Sequence, residues 1–213
     1  MDLPAADKHL SRCDAVMQRL VKAHGPCGLT ADPATPFAAL VRAITHQQLH
    51  GKAATTILGR LCAAYPRKRL PTPAELMALP IESLRAHGYS GAKAVALHDL
   101  AEKALAGVVP SARTLAALSD AAIIERLTVV RGVGRWTVEM MLMFRLDRPD
   151  VWPTDDFGVR NGYRIAYGLA DMPTAKNLQE LGAPFAPWRS AAAWYLWRAA
   201  DQEKATRLKD KAV

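Results

Sequence analysis

Two short segments carry the residues best suited to chemistry. One is Arg131-Gly132-Val133-Gly134-Arg135-Trp136-Thr137; the other, a little further on, is Pro153-Thr154-Asp155-Asp156-Phe157-Gly158. In the first, a helix stopping at Gly132, which tolerates positive φ, and a second helix starting near Gly134 would form a tight hairpin over residues 127–137. The new helix would turn backbone N–H groups and the positive end of its dipole outward. That is a phosphate site needing no side-chain charge, and Arg135 adds some. An ordinary corner between helices that happens to use two glycines fits the same residues, because short glycine motifs recur widely. In the second segment a carboxylate can stabilise positive charge as it develops in a transition state. The same pair can cap a helix beginning at Phe157, with Asp155 as the cap and Asp156 left for chemistry.

The elements around these segments read as helices almost throughout. Leu10, Cys13, Met17, Leu20 and Val21 make one apolar stripe, ended by Gly25-Pro26. Phe37, Leu40, Val41 and Ile44 make the next, and Ala53, Ala54, Ile57, Leu58 and Leu61 another. Between those two, Gln47-Gln48-Leu49-His50-Gly51 is a polar interruption that predicts a loop. Thr72-Pro73 opens a short helix, Gly91 and Gly107 bound one over Ala92–Ala106, and Ser119 caps Asp120–Leu127. Thr128-Val129-Val130 is β-branched but too short for a strand. The expectation is an all-α chain of roughly nine or ten helices with short connections and a frayed tail over residues 204–213.

Composition narrows the partner. Among 213 residues, 28 Lys and Arg against 20 Asp and Glu leave a net charge of +8, which favours an anionic partner through counterion release. Cys13, Cys27 and Cys62 form no C-x-x-C pair, so neither a zinc site nor an iron–sulfur cluster is expected, and reduced buried thiols are. His46, Gln47 and His50 lack a metal-binding partner set. Met1-Asp2-Leu3-Pro4 has no signal-peptide pattern, and no apolar stretch approaches the roughly twenty residues of a membrane span. A cytoplasmic, nucleoid-associated protein that avoids membranes is expected.

The helix, Gly-Val-Gly hairpin, Arg-Trp-Thr helix start and Pro-x-Asp-Asp element resemble the helix-hairpin-helix, Gly/Pro-rich, aspartate superfamily of DNA glycosylases. The Arg-Trp-Thr continuation and double aspartate look most like its 3-methyladenine DNA glycosylase II branch. Asp32-Pro33, the run Leu40–Ala54 and Pro187-Trp188-Arg189-Ser190 fit the same branch, so the likeness runs from about residue 32 to residue 200. It implies one unit of two interleaved helical lobes with a cleft, without the N-terminal β-rich domain of larger members. Where endonuclease III-like relatives carry a lysine after the hairpin and a four-cysteine cluster, this chain has Trp136 and no cysteine beyond Cys62.

The resemblance assigns roles. Asp156 is implied as the catalytic carboxylate, stabilising an oxocarbenium-like sugar and orienting water. A base flipped from duplex DNA needs aromatic faces, and all five tryptophans lie beyond residue 135. Trp136 and Trp197 are implied pocket walls, with Met140, Phe157 and Trp152 beside them; Trp194 suits a core position better, and Trp188 suits either. Gly132, Gly134, Arg135 and Thr137 would grip the strand. Gln47, Gln48, Leu49, His50 and Lys52 would meet DNA from the early loop, with Gln48 or Leu49, and after them His50, filling the gap left by the base; burial is the alternative for Leu49 and a solvated loop for His46 and His50. Main-chain carbonyls of Thr128, Arg131 and Val133 are implied ligands of a structural Na or K ion, and no other cofactor is needed.

With Trp136 in the lysine's place, a monofunctional enzyme is expected, one that releases alkylated purines of the 3-methyladenine and 7-methylguanine type from duplex DNA and leaves an abasic site, as a monomer. The alternatives are a glycosylase for another lesion (hypoxanthine, ethenoadenine, an oxidised or mismatched base) and a non-catalytic binder of damaged DNA.

Overall fold

The computed structural model describes residues 1–210, with side chains through residue 206, and every regular element among them is helical. Helices α1 (Leu3–Cys13) and α2 (Ala15–His24) come first. Next are α3 (Pro36–His46), α4 (Gly51–Ala63), α5 (Pro73–Ala78), α6 (Ile81–Ala86), α7 (Gly91–Leu105), α8 (Ala112–Ala116) and α9 (Asp120–Leu127). The last four are α10 (Arg135–Phe144), α11 (Phe157–Tyr167), α12 (Ala175–Leu181) and α13 (Arg189–Asp210).

The thirteen described helices exceed the expected number because the chain is cut more often than its apolar spacing reveals. The stripe from Leu10 to Val21 is two helices. Asp14 leaves helical geometry (φ −163°, ψ 171°), ends α1, and caps α2 by accepting from the N–H groups of Val16 and Met17 at 2.8 Å. The helix expected after Thr72 is present, with a capping box between Thr72 and Glu75. The extra short helices begin after Ser111 and Thr174, whose hydroxyls accept the N–H three residues on, and after Pro80. The tail expected to fray is helical through residue 210, as a run of Lys, Ala, Arg and Leu allows. The expectation for residues 211–213 lies outside the described residues.

The chain forms two compact units, divided within α10: one combines Met1–Ala31 with the chain from Leu142 onward, and the other is Asp32–Met141. In the first, α11 and α13 pack along one another with α1 and α2 alongside. Leu10, Met17, Phe185, Tyr195 and Leu196 are buried there, and the Tyr195 hydroxyl donates to Asp7 at 2.7 Å. In the second, α3, α5 and α6 pack on α7 around Leu40, Ile44, Leu76, Leu84, Leu97 and Leu100. No described helix is long and apolar enough to cross a membrane.

The three cysteines are free thiols, but only Cys27 is buried; Cys13 and Cys62 are half-buried. Burial pushes the Cys27 thiol up to about 11, so little of the reactive thiolate exists near neutrality. In native protein at pH 8, Cys27 is expected to stay unmodified by maleimide and to react only as the protein unfolds. Peptide mass spectrometry checks this, and native labelling as fast as at Cys13 would show that the α1–α2 packing opens.

Candidate active site

Asp156 sits half-buried at the N-cap of α11. Its Oδ1 accepts from the Val159 N–H and from the Trp197 indole Nε1–H, each at 2.8 Å. The cap and the candidate catalytic group are thus one residue; the expectation that Asp155 would cap is corrected, and Asp155 is exposed. The cap needs a short carboxylate at the first residue that leaves helical geometry, and here that residue is Asp156 (φ −69°, ψ 122°). A carboxylate at this end also complements the helix dipole.

The approach to Asp156 is tied down by the start of α13. Asp150 receives Arg189 through Nε–H and Nη2–H, both at 2.7 Å. The Ser190 hydroxyl accepts from the Val151 N–H at 3.0 Å and donates to the Arg148 carbonyl at 2.7 Å. The Pro187-Trp188-Arg189-Ser190 segment therefore holds the strand of chain leading to the carboxylate. Sequence reasoning had marked the segment without finding this task, because its partners lie about forty residues away.

Trp197 lies along α13, its ring stacked on Phe144 with centroids 5.7 Å apart. Phe157, the first residue of α11, is 69% exposed. Trp152 is corrected from pocket wall to core. It is 6% exposed, its Nε1–H donates to the Leu178 carbonyl at 2.8 Å, and it packs edge-on against Phe185. Trp194 is half-buried over Gly28 and beneath the Arg198 guanidinium.

The other unit holds the hairpin and the loop. Gly132 takes φ +77°, α10 starts at Arg135, and the Val138 N–H bonds to the Gly134 carbonyl at 3.2 Å. A phosphate-sized anion can be met there by the first-turn amides. Arg135 is exposed, with its Nε–H on the Glu139 carboxylate at 2.8 Å. Thr137 is buried, 5% exposed, and lines the cavity of this unit.

A cavity of about 750 Å3 opens in this unit, and Gln47, Gln48, Arg131, Gly132, Trp136 and Met140 share its wall. Trp136 is 45% exposed and so presents a ring face. Leu49 is 38% exposed, which removes burial as its role, and Gln48, His50 and Lys52 are exposed as well. Gln47 differs. It is half-buried, and its Nε2–H donates to the Gly132 carbonyl at 2.7 Å, so its amide joins loop to hairpin.

Two residues that sequence reasoning missed complete this region, both on α7. Lys93 donates from Nζ to the carbonyls of Thr45 (2.7 Å) and Gln47 (2.6 Å), and burial lowers its pKa. Asp99 accepts the Arg131 N–H at 2.7 Å. The spacing of single side chains gives no sign of bonds to a distant backbone.

The chain belongs to the HhH-GPD superfamily of base excision DNA repair proteins, whose signature matches residues 41–187. Within it, the chain is similar to DNA-3-methyladenine glycosylase 1 of Schizosaccharomyces pombe, 41% identical over 97% of this chain and 93% of the relative. A solved Schizosaccharomyces pombe 3-methyladenine DNA glycosylase in complex with abasic DNA superposes with a TM-score of 0.83 at 41% identity, covering 91% of this chain and 95% of that one. A DNA-3-methyladenine glycosidase from Bacillus halodurans superposes with a TM-score of 0.82 at 32% identity, covering 92% and 88% of the two chains.

Proposed function

We propose that the protein is a monofunctional DNA glycosylase that flips alkylated purines out of duplex DNA and hydrolyses the bond between base and sugar. The observation that carries this reading is Asp156: a half-buried carboxylate fixed by two donors at a helix start, in a chain that shares its fold and two fifths of its residues with a 3-methyladenine DNA glycosylase. Alkylation at N3 or N7 leaves a cationic purine. When the C1′–N bond breaks, the base departs neutral with the bonding electrons and needs little acid catalysis. The sugar becomes an oxocarbenium ion that Asp156 stabilises. Water oriented by the same carboxylate adds to C1′ and gives up its proton, leaving an abasic site.

The remaining roles are carried over from the family resemblance, and the chemistry of the residues supports them. Trp136 and Trp197 supply electron-rich faces that favour a cationic base, with Met140 and Phe157 as further apolar surface. Gly132, Gly134 and Arg135 meet the phosphates, and the exposed Gln48, Leu49, His50 and Lys52 meet the duplex. The resemblance to the family also implies a Na or K ion bound by the main-chain carbonyls of Thr128, Arg131 and Val133. Such an ion would supply positive charge next to a phosphate. The reading has the protein working as a monomer, in the cytoplasm, on chromosomal DNA.

A panel of duplexes, each with a single lesion, tests it. Release of 3-methyladenine and 7-methylguanine is expected, leaving abasic DNA with its strand intact. Borohydride should trap no covalent adduct, since Trp136 stands where a Schiff-base lysine would be needed. Activity confined to neutral oxidised bases, or a trapped adduct, overturns the proposal.

A further inference from the structure

We infer that Lys93 and Gln47 are positioning residues, a brace that locks the loop between α3 and α4 onto the hairpin so that the loop's tip and the phosphate grip act as one rigid piece. This rests on the glycosylase reading and deepens it.

The starting point is strain. Gln48 has φ +54°, a left-handed conformation that a non-glycine residue adopts at a cost and keeps only when its surroundings impose it. The restraints lie immediately before it. The Lys93 ammonium takes the Thr45 and Gln47 carbonyls at the end of α3, where a cation also suits the helix dipole. The Gln47 amide then reaches the Gly132 carbonyl, 85 residues on in the chain. The conformation at Gln48 is thereby held from the α7 side and from the hairpin side.

Helix α7 fixes the hairpin too. Asp99 accepts the Arg131 N–H, and Ala96 lies so close to Gly132 that a Cβ there would come within 3.3 Å of the alanine methyl. Lys93, Ala96 and Asp99 follow at three-residue spacing along one stripe of the helix. One helix thus sets the positions of both the loop and the hairpin. With its amide engaged on the hairpin, Gln47 is held in place, while Gln48 and Leu49, the candidates for filling the gap left by the flipped base, are exposed. A residue that replaces lost stacking must resist being pushed back, and the brace supplies that resistance.

The chemistry at Lys93 supports a structural cation over a nucleophile, because its ammonium already serves two carbonyls. If the brace matters for opening the duplex, its loss should hurt most where the lesion is paired and stacked. It should matter little where the base is already unpaired.

The test uses the full chain and single-turnover release of 7-methylguanine from two duplexes, one with cytosine opposite the lesion and one with a tetrahydrofuran abasic analogue opposite. Lys93→Met is expected to lose roughly tenfold on the paired duplex and to stay within about twofold on the unpaired one, as loss of bonds from a charged donor predicts. Lys93→Arg, which keeps N–H donors for both carbonyls, is expected to restore the paired rate. Gln47→Leu should act in the same direction, and the double variant should be little worse than the poorer single, because both belong to one brace. Gln47→Leu also keeps the test alive if Lys93→Met folds badly, which thermal melting reports. Equal losses on the two duplexes, or an unchanged paired rate, overturn the inference while the parent's activity leaves the glycosylase reading standing. An inactive parent on both duplexes overturns that reading, and this inference with it.

Discussion

Asp156→Asn is expected to lower single-turnover base release by roughly a hundredfold or more, a loss in the range seen when a preorganised electrostatic partner of a transition state is removed. Asparagine serves an N-cap about as well as aspartate, so the Val159 N–H keeps an acceptor and the melting temperature should hardly move. The side-chain oxygen can still take the Trp197 indole N–H as well. What disappears is the negative charge that the developing oxocarbenium requires. Affinity for abasic DNA should be retained, because the hairpin and loop are untouched. Asp156→Ala would confuse the issue: it removes charge and cap together, and loss of the cap alone costs about 1 kcal/mol. Asp155→Asn, at the exposed neighbour, is the companion measurement and should change the rate by less than about threefold. If Asp156→Asn released base within a few-fold of the parent, Asp156 would be only a cap and the mechanism would need another carboxylate.

That the cap falls on Asp156, the candidate catalytic residue itself, explains a misreading. The pair Asp155-Asp156 invites a division of labour, and the sequence cannot say which of two adjacent carboxylates faces the helix start. The backbone decides, since the non-helical residue before Phe157 is Asp156. The hairpin was legible because its shape is set by the backbone, and glycines at two positions announce a turn whatever the surrounding side chains. The loop was legible for a similar reason: polar residues at Gln47–His50 break a period that otherwise continues into α4. Trp152 was not legible. Nearness to Asp156 in sequence suggested a shared pocket, but a proline and a turn separate them, and the indole N–H is used on Leu178 in the core. The braces were hidden most completely. Lys93 and Asp99 act on main-chain atoms 32 to 48 residues distant, and no spacing rule within a helix anticipates that.

Gly162→Ala is expected to give the largest loss of stability of any single methyl added to this chain's site-bearing helices. At Gly162, α11 passes so close to α13 that a Cβ would overlap the Leu196 carbonyl, with its carbon only 2.6 Å away. Alanine would otherwise favour a helix interior by about 1 kcal/mol over glycine. The obstacle is backbone, which cannot rotate aside, so the helices must part at a cost of about 3 kcal/mol or more. The net loss of about 2 kcal/mol corresponds to roughly a 5 °C fall in melting temperature for a chain of this length. Leu196 precedes Trp197, the donor to Asp156, so the same separation should loosen the carboxylate and slow base release even below the melting point. Gly158→Ala separates the two effects. Its Cβ would lie 2.7 Å from the Trp197 ring and 3.1 Å from Asp156 Oδ1, and a side chain can move where a backbone cannot. It should therefore cost less stability but more rate per degree lost. Calorimetry beside single-turnover kinetics checks both variants. A Gly162→Ala protein that melts like the parent would mean that α11 and α13 are further apart than described, and the hold of Trp197 on Asp156 would lose its support.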